Sequence, residues 1–572
     1  MKRLSLLTLS LTICLAINFR AFSHTPLAAR NGMVVSSSEL ASEAGIQILK
    51  QGGNAVDAAV AVAYALAVTY PQAGNIGGGG FMLIRLADGT VTVIDYREAA
   101  PVDATANMYL DSKGEIIPEA SLRGAKAAGV PGTVAGLCLA LSQYGTMPLT
   151  SVMKPAMDIA RKGFPIDLGL SKDLERLEAD FKKYPSTARI FFKNETPYHF
   201  GDTLRQPDLA NTLRQISVAG AEAFYRGPVA DLVIKAMQQD GGLITHQDLA
   251  EYTPVIRKPL IGNYRGYTIY TMPPPSSGGI ILLGVLKALE SDDIAGTGHN
   301  SSGFIHLFSE INHRYFADRA FFIGDPDFVN VPTAALTSPE YARNIRGTIN
   351  ANQHTPSLEV LHGDSLWLAQ YGAGLPEPEE TTHFTVVDRW GNAVSNTYTL
   401  NDSYGSYYVV EGAGFLMNNE MDDFSIKTGV PNIYGLVGGR ANAIEPRKRM
   451  LSSMTPTIIT KDGKLFLILG SPGGPKIITS VCQVILNVID HKMNIQDAII
   501  APRVHSQWLP DELVIEPLGI SDDVIQNLSL KGHSIKKGSF MGEVQAIQVD
   551  TKRGMLFGAI DLRHGNSAVS GY

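Results

Sequence analysis

Apolar side chains fill almost every position between Ala55 and Val68, where Asp57 is the only charged residue. A helix that is apolar on all of its faces is buried in a protein core, and about 14 residues are too few to cross a bilayer. Asn54 stands immediately before this stretch and is of a type that commonly begins a helix. The pattern therefore predicts a buried helix near the N-terminal end of the fold.

Other helices are predicted from their flanking residues. The spacing Ser36-x-x-Glu39 has the form of a capping box and predicts a helix that ends at Gly52-Gly53. A Pro-, Ser- and Gly-rich turn precedes an apolar helix predicted near Ile280–Leu289, and a further helix is predicted from about Lys476 to His491.

Short runs of apolar and β-branched residues predict strands that alternate with turns. These runs are Phe81–Leu86, Thr90–Tyr96, Thr381–Asp388, Ala393–Leu400 and Leu465–Leu469. The third and fourth runs flank the turn sequence Asp-Arg-Trp-Gly-Asn and therefore predict a β-hairpin.

The segment 350–380 differs from the chain on both sides of it. It is rich in glycine, proline and polar residues, and it ends with the acidic residues Glu377, Glu379 and Glu380. This composition is typical of an exposed linker, and the β-rich texture begins immediately after it.

Composition narrows the class of protein. Of 572 residues, 45% are apolar and 18% are charged, which is the balance of a soluble globular protein. The 48 lysines and arginines against 55 acidic residues give a net charge of −7, and no basic run is present, so we expect no nucleic-acid partner. Three cysteines are too few for a disulfide framework, and Cys138 and Cys482 are too isolated for a zinc cluster.

The N-terminus has the form of a signal peptide. Lys2 and Arg3 precede a mostly apolar stretch, Leu4–Phe19, and Ala21-Phe22-Ser23 supplies a cleavage-site pattern. The alternative is a membrane anchor, but the stretch is shorter than the roughly 20 residues of a spanning helix. We therefore predict that residues 1–23 are removed on export to the periplasm or the cell exterior, with no membrane span afterwards.

Several possible binding motifs do not meet their requirements. His306, Glu310 and His313 share one helical face, but they do not form a His-Glu-x-x-His motif and no fourth ligand is identifiable, so no metal is predicted. The glycine-rich segments 77–80 and 470–476 fit neither a dinucleotide nor a P-loop motif. A Gly-x-Ser-x-Gly elbow is absent from the sequence as well.

Thr381 raises a different possibility. A threonine hydroxyl is a poor nucleophile without a base, and the sequence identifies no histidine–aspartate partner for it. If the chain were cut before Thr381, the freed α-amine, with a pKa near 8, would supply that base within the same residue. Two threonines at the start of a strand are also explained by the β-propensity of threonine, so this pattern alone does not show whether Thr381 is a nucleophile.

Five longer motifs are specific in combination. They are Asp95-Tyr96-Arg97-Glu98, Thr381-Thr382-His383, the segment 418–424 (NNEMDDF), the segment 446–454 with its Ser452-Ser453 pair, and the segment 470–474 (GSPGG). With them the chain resembles the gamma-glutamyltranspeptidases of the N-terminal nucleophile hydrolase superfamily, over nearly all of its length after the signal peptide.

The resemblance implies a fold and a maturation step. The expected fold is α+β, a four-layer αββα sandwich with two stacked antiparallel sheets between helices. Members cut themselves, here between Glu380 and Thr381, into a large subunit, 24–380, and a small catalytic subunit, 381–572, which form one folded heterodimer. Thr381 would then be the nucleophile, supported by Thr399, with the backbone of Gly473 and Gly474 as the oxyanion hole.

The resemblance also implies how a γ-glutamyl group is held. Arg97, Ser452 and Ser453 resemble the residues that bind its α-carboxylate. Tyr434 resembles the lid tyrosine of the family.

The α-ammonium is expected to be held by Asn401, Glu420 and Asp423. Some bacterial members carry glutamine at the position of Glu420, which implies that this residue tunes amine binding.

The implied activity is that of a gamma-glutamyltransferase and glutathione hydrolase without a cofactor. Thr381 would take the γ-glutamyl group from glutathione or a related compound and pass it to water or to an amino acid or peptide. One alternative is a cephalosporin acylase that acts on a glutaryl group, although such a group has no amine for Asn401, Glu420 and Asp423 to hold. The other is an inactive binding protein that never matures.

Overall fold

Two seven-stranded antiparallel sheets form the centre of the computed structural model, which describes residues 24–360, 381–565 and 567–572. The predicted signal peptide and Glu380 lie outside the described residues. The first sheet has the strand order Ala568–Gly571, Gly32–Ser36, Thr382–Asp388, Ala393–Thr399, Gly79–Arg85, Val91–Asp95, Val255–Arg257. The second has the order Leu27–Ala29, Met555–Ala559, Gln545–Asp550, Lys464–Gly470, Thr457–Lys461, Tyr267–Thr271, Leu260–Tyr264.

Alternate residues of the first sheet enter two different cores. Val34 packs in the cluster that contains the helix Ala55–Thr69, whereas its neighbours Met33 and Val35 join the cluster formed with the second sheet. Successive side chains of a strand point to opposite faces, so a sheet covered on both faces needs apolar residues at both. The strands therefore lie between a helical layer and a second sheet.

Helices cover the outer faces of both sheets. The first side carries Glu39–Lys50, Ala55–Thr69, Thr133–Tyr144, Leu149–Val152, Lys154–Lys162, Leu168–Arg176, Glu178–Phe181, Pro185–Phe191, Pro207–Ala219, Ala221–Tyr225, Pro228–Asp240 and His246–Glu251. The second side carries Gly278–Leu289, Ile294–Thr297, Ser302–Phe322, Thr333–Leu336, Pro339–Gly347, Lys476–Ile489, Ile495–Ile500 and Asp522–Leu530. This arrangement confirms the predicted four-layer αββα sandwich. None of the helices within the described ranges is long and apolar enough to span a membrane.

Smaller elements complete the structure. Short strands outside the main sheets are Phe164–Pro165, Phe192–Lys193, Thr196–Pro197, Thr203–Leu204, Val504–Ser506, Leu513–Ile515 and Ile535–Lys537. Single turns of 3-10 helix lie at Ala125–Ala127, Ser357–Glu359, Glu420–Asp423 and Arg440–Asn442.

The two predicted helix starts near the N-terminus have different outcomes. Asn54 forms a complete capping box with Asp57, as the start of a helix at that position requires. The capping box predicted at Ser36 is wrong, because Ser36 is the last residue of a strand and pairs with Phe384. The helix begins at Glu39 after Ser38, which makes no side-chain capping bond.

Candidate active site

Thr381 lies immediately before the strand Thr382–Asp388, close to the middle of the first sheet, and is 4% exposed. Its neighbour Thr382 pairs with Tyr398 across the hairpin, so the antiparallel register brings Thr381 next to Thr399. The Thr381 hydroxyl donates to Oγ1 of Thr399 at 3.4 Å. The hairpin predicted from the sequence is therefore the element that joins the two threonines.

Gly473 and Gly474 lie in the turn between the strand Lys464–Gly470 and the helix Lys476–Ile489. Their φ angles of 123° and 51° fall in the left-handed region that favours glycine. A Cβ on Gly474 would lie 2.9 Å from the ring of Tyr434. The turn thus approaches Thr381 and Tyr434 with backbone alone, and Gly474 and Thr381 line the same cavity.

Arg97 is completely buried just after the strand Val91–Asp95. Its guanidinium donates to the carboxylates of Glu420 and Asp423, and Nε donates to the carbonyl of Met450 at 3.3 Å. The residue expected to bind the substrate carboxylate is therefore paired with two of the residues expected to bind the ammonium. A zwitterionic head group offers both charges, so it could replace these ion pairs with equivalent ones.

Burial and charge act in opposite directions on these groups. Burial raises the pKa of Glu420 and of Asp423, and the guanidinium of Arg97 lowers them in part. Burial also raises the pKa of Glu98 to about 8, although the guanidinium of Arg97, 3.6 Å from its carboxylate, opposes the shift. Burial alone would lower the pKa of Arg97, but Glu420 and Asp423 reverse the effect and raise it. Arg97 stays charged.

Ser452 and Ser453 are held beside Arg97 by the proline-rich turn that precedes the helix Gly278–Leu289. The backbone N–H and the hydroxyl of Ser277 both donate to the carbonyl of Ser452 at 2.9 Å. The N–H of Ser452 donates in turn to the carbonyl of Pro275 at 2.9 Å. Both serines line the cavity with Thr381 and Arg97.

Arg319 is a cavity residue that the sequence reasoning missed. It lies on the helix Ser302–Phe322, and its Nε donates to the hydroxyl of Ser277 at 3.1 Å. Burial lowers its pKa to about 10 although Asp423 opposes the shift. No motif in the sequence marked it, because its place depends on a helix that reaches the site only through tertiary packing.

Tyr434 closes the site from one side. Its hydroxyl donates to the carbonyl of Asn401 at 2.5 Å, and Asn401 donates through its backbone N–H to Oγ1 of Thr399 at 2.8 Å. The preceding residue, Ile433, donates its N–H to Asp422 at 3.0 Å. These bonds tie Tyr434 to the segment that follows Thr399, and Tyr434 lines the same cavity as Thr381 and Thr399.

The space enclosed by these residues is small. The cavity has a volume of about 20 Å³, which is room for about one water molecule. A group larger than a water molecule would fit only if the side chains that line the cavity moved.

The histidines considered as metal ligands lie elsewhere. His306 and Glu310 approach His533, and His313 approaches His354 and Asp511, with ligand atoms in each group within 4.8 Å of one another. Glu310 already accepts hydrogen bonds from His354, Arg314 and Thr355, which satisfy both of its oxygens. Cys138 and Cys482 are both free thiols.

Comparison with known proteins agrees with the fold and identifies the family. The family model described as Gamma-glutamyltranspeptidase matches residues 41–571. The chain is 49% identical over 548 residues to a protein named "Glutathione hydrolase proenzyme" from Escherichia coli strain K12, covering 96% of this chain and 93% of that protein.

Solved structures show the same architecture. A cephalosporin acylase from Bacillus halodurans superimposes with a TM-score of 0.83 at 28% identity, covering 97% of this chain and 99% of that one. A Helicobacter pylori gamma-glutamyltranspeptidase is 43% identical with a TM-score of 0.55, covering 61% of this chain and 99% of that one. The fold is that of the N-terminal nucleophile hydrolases. Within that class, the chain belongs to the gamma-glutamyltranspeptidase family.

Proposed function

We propose that this protein is a self-processing gamma-glutamyltranspeptidase and glutathione hydrolase whose nucleophile is Thr381. The observation that carries the proposal is the cavity in which Thr381, Thr399 and Gly474 meet Arg97, Glu420 and Asp423. A hydroxyl nucleophile, a backbone turn and paired opposite charges are together what acyl transfer from a zwitterionic glutamyl group requires.

The first step is maturation of the chain. The Thr381 hydroxyl attacks the carbonyl carbon of Glu380, the Glu380–Thr381 C–N bond breaks, and water hydrolyses the resulting ester. The products are a large subunit, 24–380, and a small subunit, 381–572, in one heterodimer after removal of the signal peptide 1–23. The freed α-amine of Thr381 then serves as the base for its own hydroxyl.

The second step is transfer of the glutamyl group. Thr381 Oγ1 attacks the γ-carbonyl carbon, its proton passes through the α-amine to the leaving amine, and the backbone N–H groups of Gly473 and Gly474 stabilise the oxyanion. For glutathione the leaving group is cysteinylglycine. Water or an amino acid or peptide amine then attacks the ester and releases glutamate or a new γ-glutamyl compound.

Within the pocket, Arg97, Ser452 and Ser453 bind the α-carboxylate, while Glu420 and Asp423 bind the α-ammonium. Asn401 assists the same ammonium, and Tyr434 covers the bound group. The location that fits such a protein is the periplasm or the cell exterior, since the proposal includes an exported precursor.

The test is Thr381→Ala in the full-length chain. We expect one uncut polypeptide on a denaturing gel and no release of p-nitroaniline from γ-glutamyl-p-nitroanilide. Thr381→Ser keeps the hydroxyl and is expected to cut itself, and N-terminal sequencing of the wild type should give Thr-Thr-His-Phe-Thr. A processed or active Thr381→Ala protein would disprove the assignment.

A second candidate function is supported by the similarity to a cephalosporin acylase. A glutaryl substrate would leave Glu420 and Asp423 without an ammonium partner, so we expect γ-glutamyl-p-nitroanilide to be used at least 100-fold better than glutaryl-p-nitroanilide. Equal or reversed kcat/KM values would favour the acylase.

A further inference from the structure

A second cavity opens on the other side of Thr381. It has a volume of about 410 Å³ and is lined by Thr381 and Gly473 together with Tyr70, Phe540, Glu543, Arg563 and His564. Its size lies within the usual range of small-molecule sites, about 300–1,000 Å³. Arg97, Glu420 and Asp423 line the first cavity and not this one.

Because Thr381 lies between the two cavities, its position determines which part of the substrate each cavity can hold. A γ-carbonyl carbon within reach of the Thr381 hydroxyl carries the glutamyl chain on one side and the amide nitrogen on the other. If the glutamyl chain occupies the cavity with Arg97, the amine side of the substrate must extend into the second cavity. An attacking acceptor amine follows the same path, because transfer to an amine is the reverse of its release.

The two basic side chains of the second cavity, Arg563 and His564, offer no free positive charge. Arg563 donates from Nε and Nη2 to Asp561 and from Nη1 to Glu516, and the buried Arg503 pairs with the same two carboxylates, so two guanidinium groups balance two carboxylates. Burial lowers the pKa of His564, whose Nε2 makes no hydrogen bond, so its ring is neutral near pH 7. Neither basic residue is available as a free cation.

Glu543 is the acidic side chain that lines the second cavity. It is 6% exposed, and Oε1 accepts from the hydroxyl of Ser567 and from Nε2 of Gln545, the latter at 3.2 Å. Among the described residues it forms no ion pair with a lysine, arginine or histidine. Burial raises its pKa to about 7, with Asp561 adding to the shift. A buried carboxylate without a cation is stabilised by a cation supplied by a ligand.

We propose that the cavity lined by Tyr70, Phe540 and Glu543 is the leaving-group and acceptor site, and that Glu543 makes it select amines bearing a positive charge over those bearing an additional carboxylate. The inference rests on the proposed function, since it takes Thr381 as the nucleophile. Glu543 is a specificity-determining residue in this scheme and takes no part in bond making.

The test uses γ-glutamyl tripeptides that differ in one side chain. The two series are γ-Glu-Xaa-Gly and γ-Glu-Ala-Xaa, with lysine, glutamine or glutamate as Xaa, and the readout is glutamate release by the processed enzyme at pH 8.5. At this pH the Glu543 carboxyl is ionised. In at least one series we expect kcat/KM for lysine to exceed that for glutamate by tenfold or more, with glutamine between them.

The variant Glu543→Gln keeps the size of the side chain and removes its charge. We expect the lysine-to-glutamate ratio to fall at least fivefold in this variant. Glu512→Gln makes the same charge change at a carboxylate that pairs with Lys536 and does not line the cavity, so its ratio should equal that of the wild type. If Glu543→Gln fails to mature, the wild-type ratio measured at 0.05 and 0.5 M NaCl provides the second test, since salt should reduce it.

The outcomes separate the two proposals. A wild-type enzyme that releases glutamate from every peptide with a ratio near one in both series would overturn the role of Glu543 and leave the proposed function intact. A lysine-to-glutamate ratio that is unchanged in a mature Glu543→Gln enzyme would also overturn the role of Glu543. A wild-type protein that releases no glutamate from any γ-glutamyl peptide would instead disprove the proposed function.

Discussion

Arg97 connects both ends of the proposed substrate site, because its guanidinium is paired with the two carboxylates that are expected to receive the ammonium. Removing it would leave Glu420 and Asp423 buried without a cation, which typically costs about 3–5 kcal/mol. A variant that removes this side chain would therefore not distinguish a folding defect from a binding defect. A lysine at this position keeps the charge but cannot form the planar two-pronged contact of a guanidinium.

For Arg97→Lys we expect the chain to cut itself normally and KM for a γ-glutamyl donor to rise about 10- to 100-fold. A hydrogen bond to a charged group is worth about 1.5–3 kcal/mol, which corresponds to that range. The measurement is steady-state hydrolysis of γ-glutamyl-p-nitroanilide. The control is Arg189→Lys, an exposed residue paired with Glu411, for which KM should stay within twofold of the wild type. An unaltered KM in Arg97→Lys would remove Arg97 from the substrate site.

The sequence predicted most of the residues that the structure brings together in the first cavity, but it did not predict how they pair. Arg97 and Glu420 are 323 positions apart, and only the packing of the turn Glu420–Asp423 against the end of the strand Val91–Asp95 brings them together. The family resemblance assigned these residues to opposite ends of a ligand, and the structure pairs them with one another. Arg319 was missed for the same physical reason, since its helix contributes no local motif.

For single helices, the sequence pattern predicted the start correctly where hydrogen bonds between nearby residues decide the conformation. Asn54 accepts the N–H groups of Val56 and Asp57, and the Asp57 carboxylate accepts the N–H of Asn54. The Ser36 spacing had the same form and failed, because strand pairing with Phe384 fixes Ser36 in an extended conformation. A long-range pairing of this kind overrides a local capping signal.

The cap at Asn54 leads to a prediction for stability. Asn54→Ala removes the acceptor for two N–H groups at the start of the buried helix Ala55–Thr69, and we expect a loss of about 0.5–2 kcal/mol with a lower Tm in calorimetry. Ser521→Ala changes an N-cap whose side chain makes no capping bond, so its Tm should not move. Equal Tm values for the two variants would show that the cap contributes nothing to stability.

At the scale of the whole molecule, the proposed cut divides the first sheet between two chains without separating its strands. Strands from before residue 381 and after it lie next to each other in this sheet, since Thr382–Asp388 pairs with Gly32–Ser36 and Ala393–Thr399 pairs with Gly79–Arg85. We expect the two subunits to elute together from a size-exclusion column in 1 M NaCl, because apolar packing and backbone bonds are not screened by salt. Subunits that separate without denaturant would contradict this reading of the sheet.

His354 provides an ionic contact across the same division. Its Nδ1 lies 2.7 Å from Oε1 of Glu310, and its Nε2 lies 2.9 Å from Oδ1 of Asp511, which stands after the proposed cut. Both ring nitrogens therefore face carboxylates, and a ring that donates twice is protonated. Burial alone would lower the pKa of His354, but Asp511 and Glu310 outweigh it and raise the pKa to about 9.

The raised pKa sets the direction of a pH effect. A histidine in the unfolded chain has a pKa near 6.5, so the stabilisation from His354 is fully present below about pH 6.5 and is lost as pH rises through about 9. The shift corresponds to stabilisation on the order of 3 kcal/mol. Burial lowers the pKa of His313 to about 4 and of His533 to about 3, so these neighbours stay neutral over the same range.

We therefore expect the Tm of the wild type to fall more between pH 7 and pH 10 than the Tm of His354→Gln, which carries no titrating ring at this position. The measurement is calorimetry of both processed proteins in matched buffers. His199→Gln removes an exposed histidine and should retain the wild-type pH dependence, which corrects for the titration of the remaining groups. If His354→Gln loses as much Tm as the wild type, then the contact between Glu310, His354 and Asp511 does not hold the two subunits together.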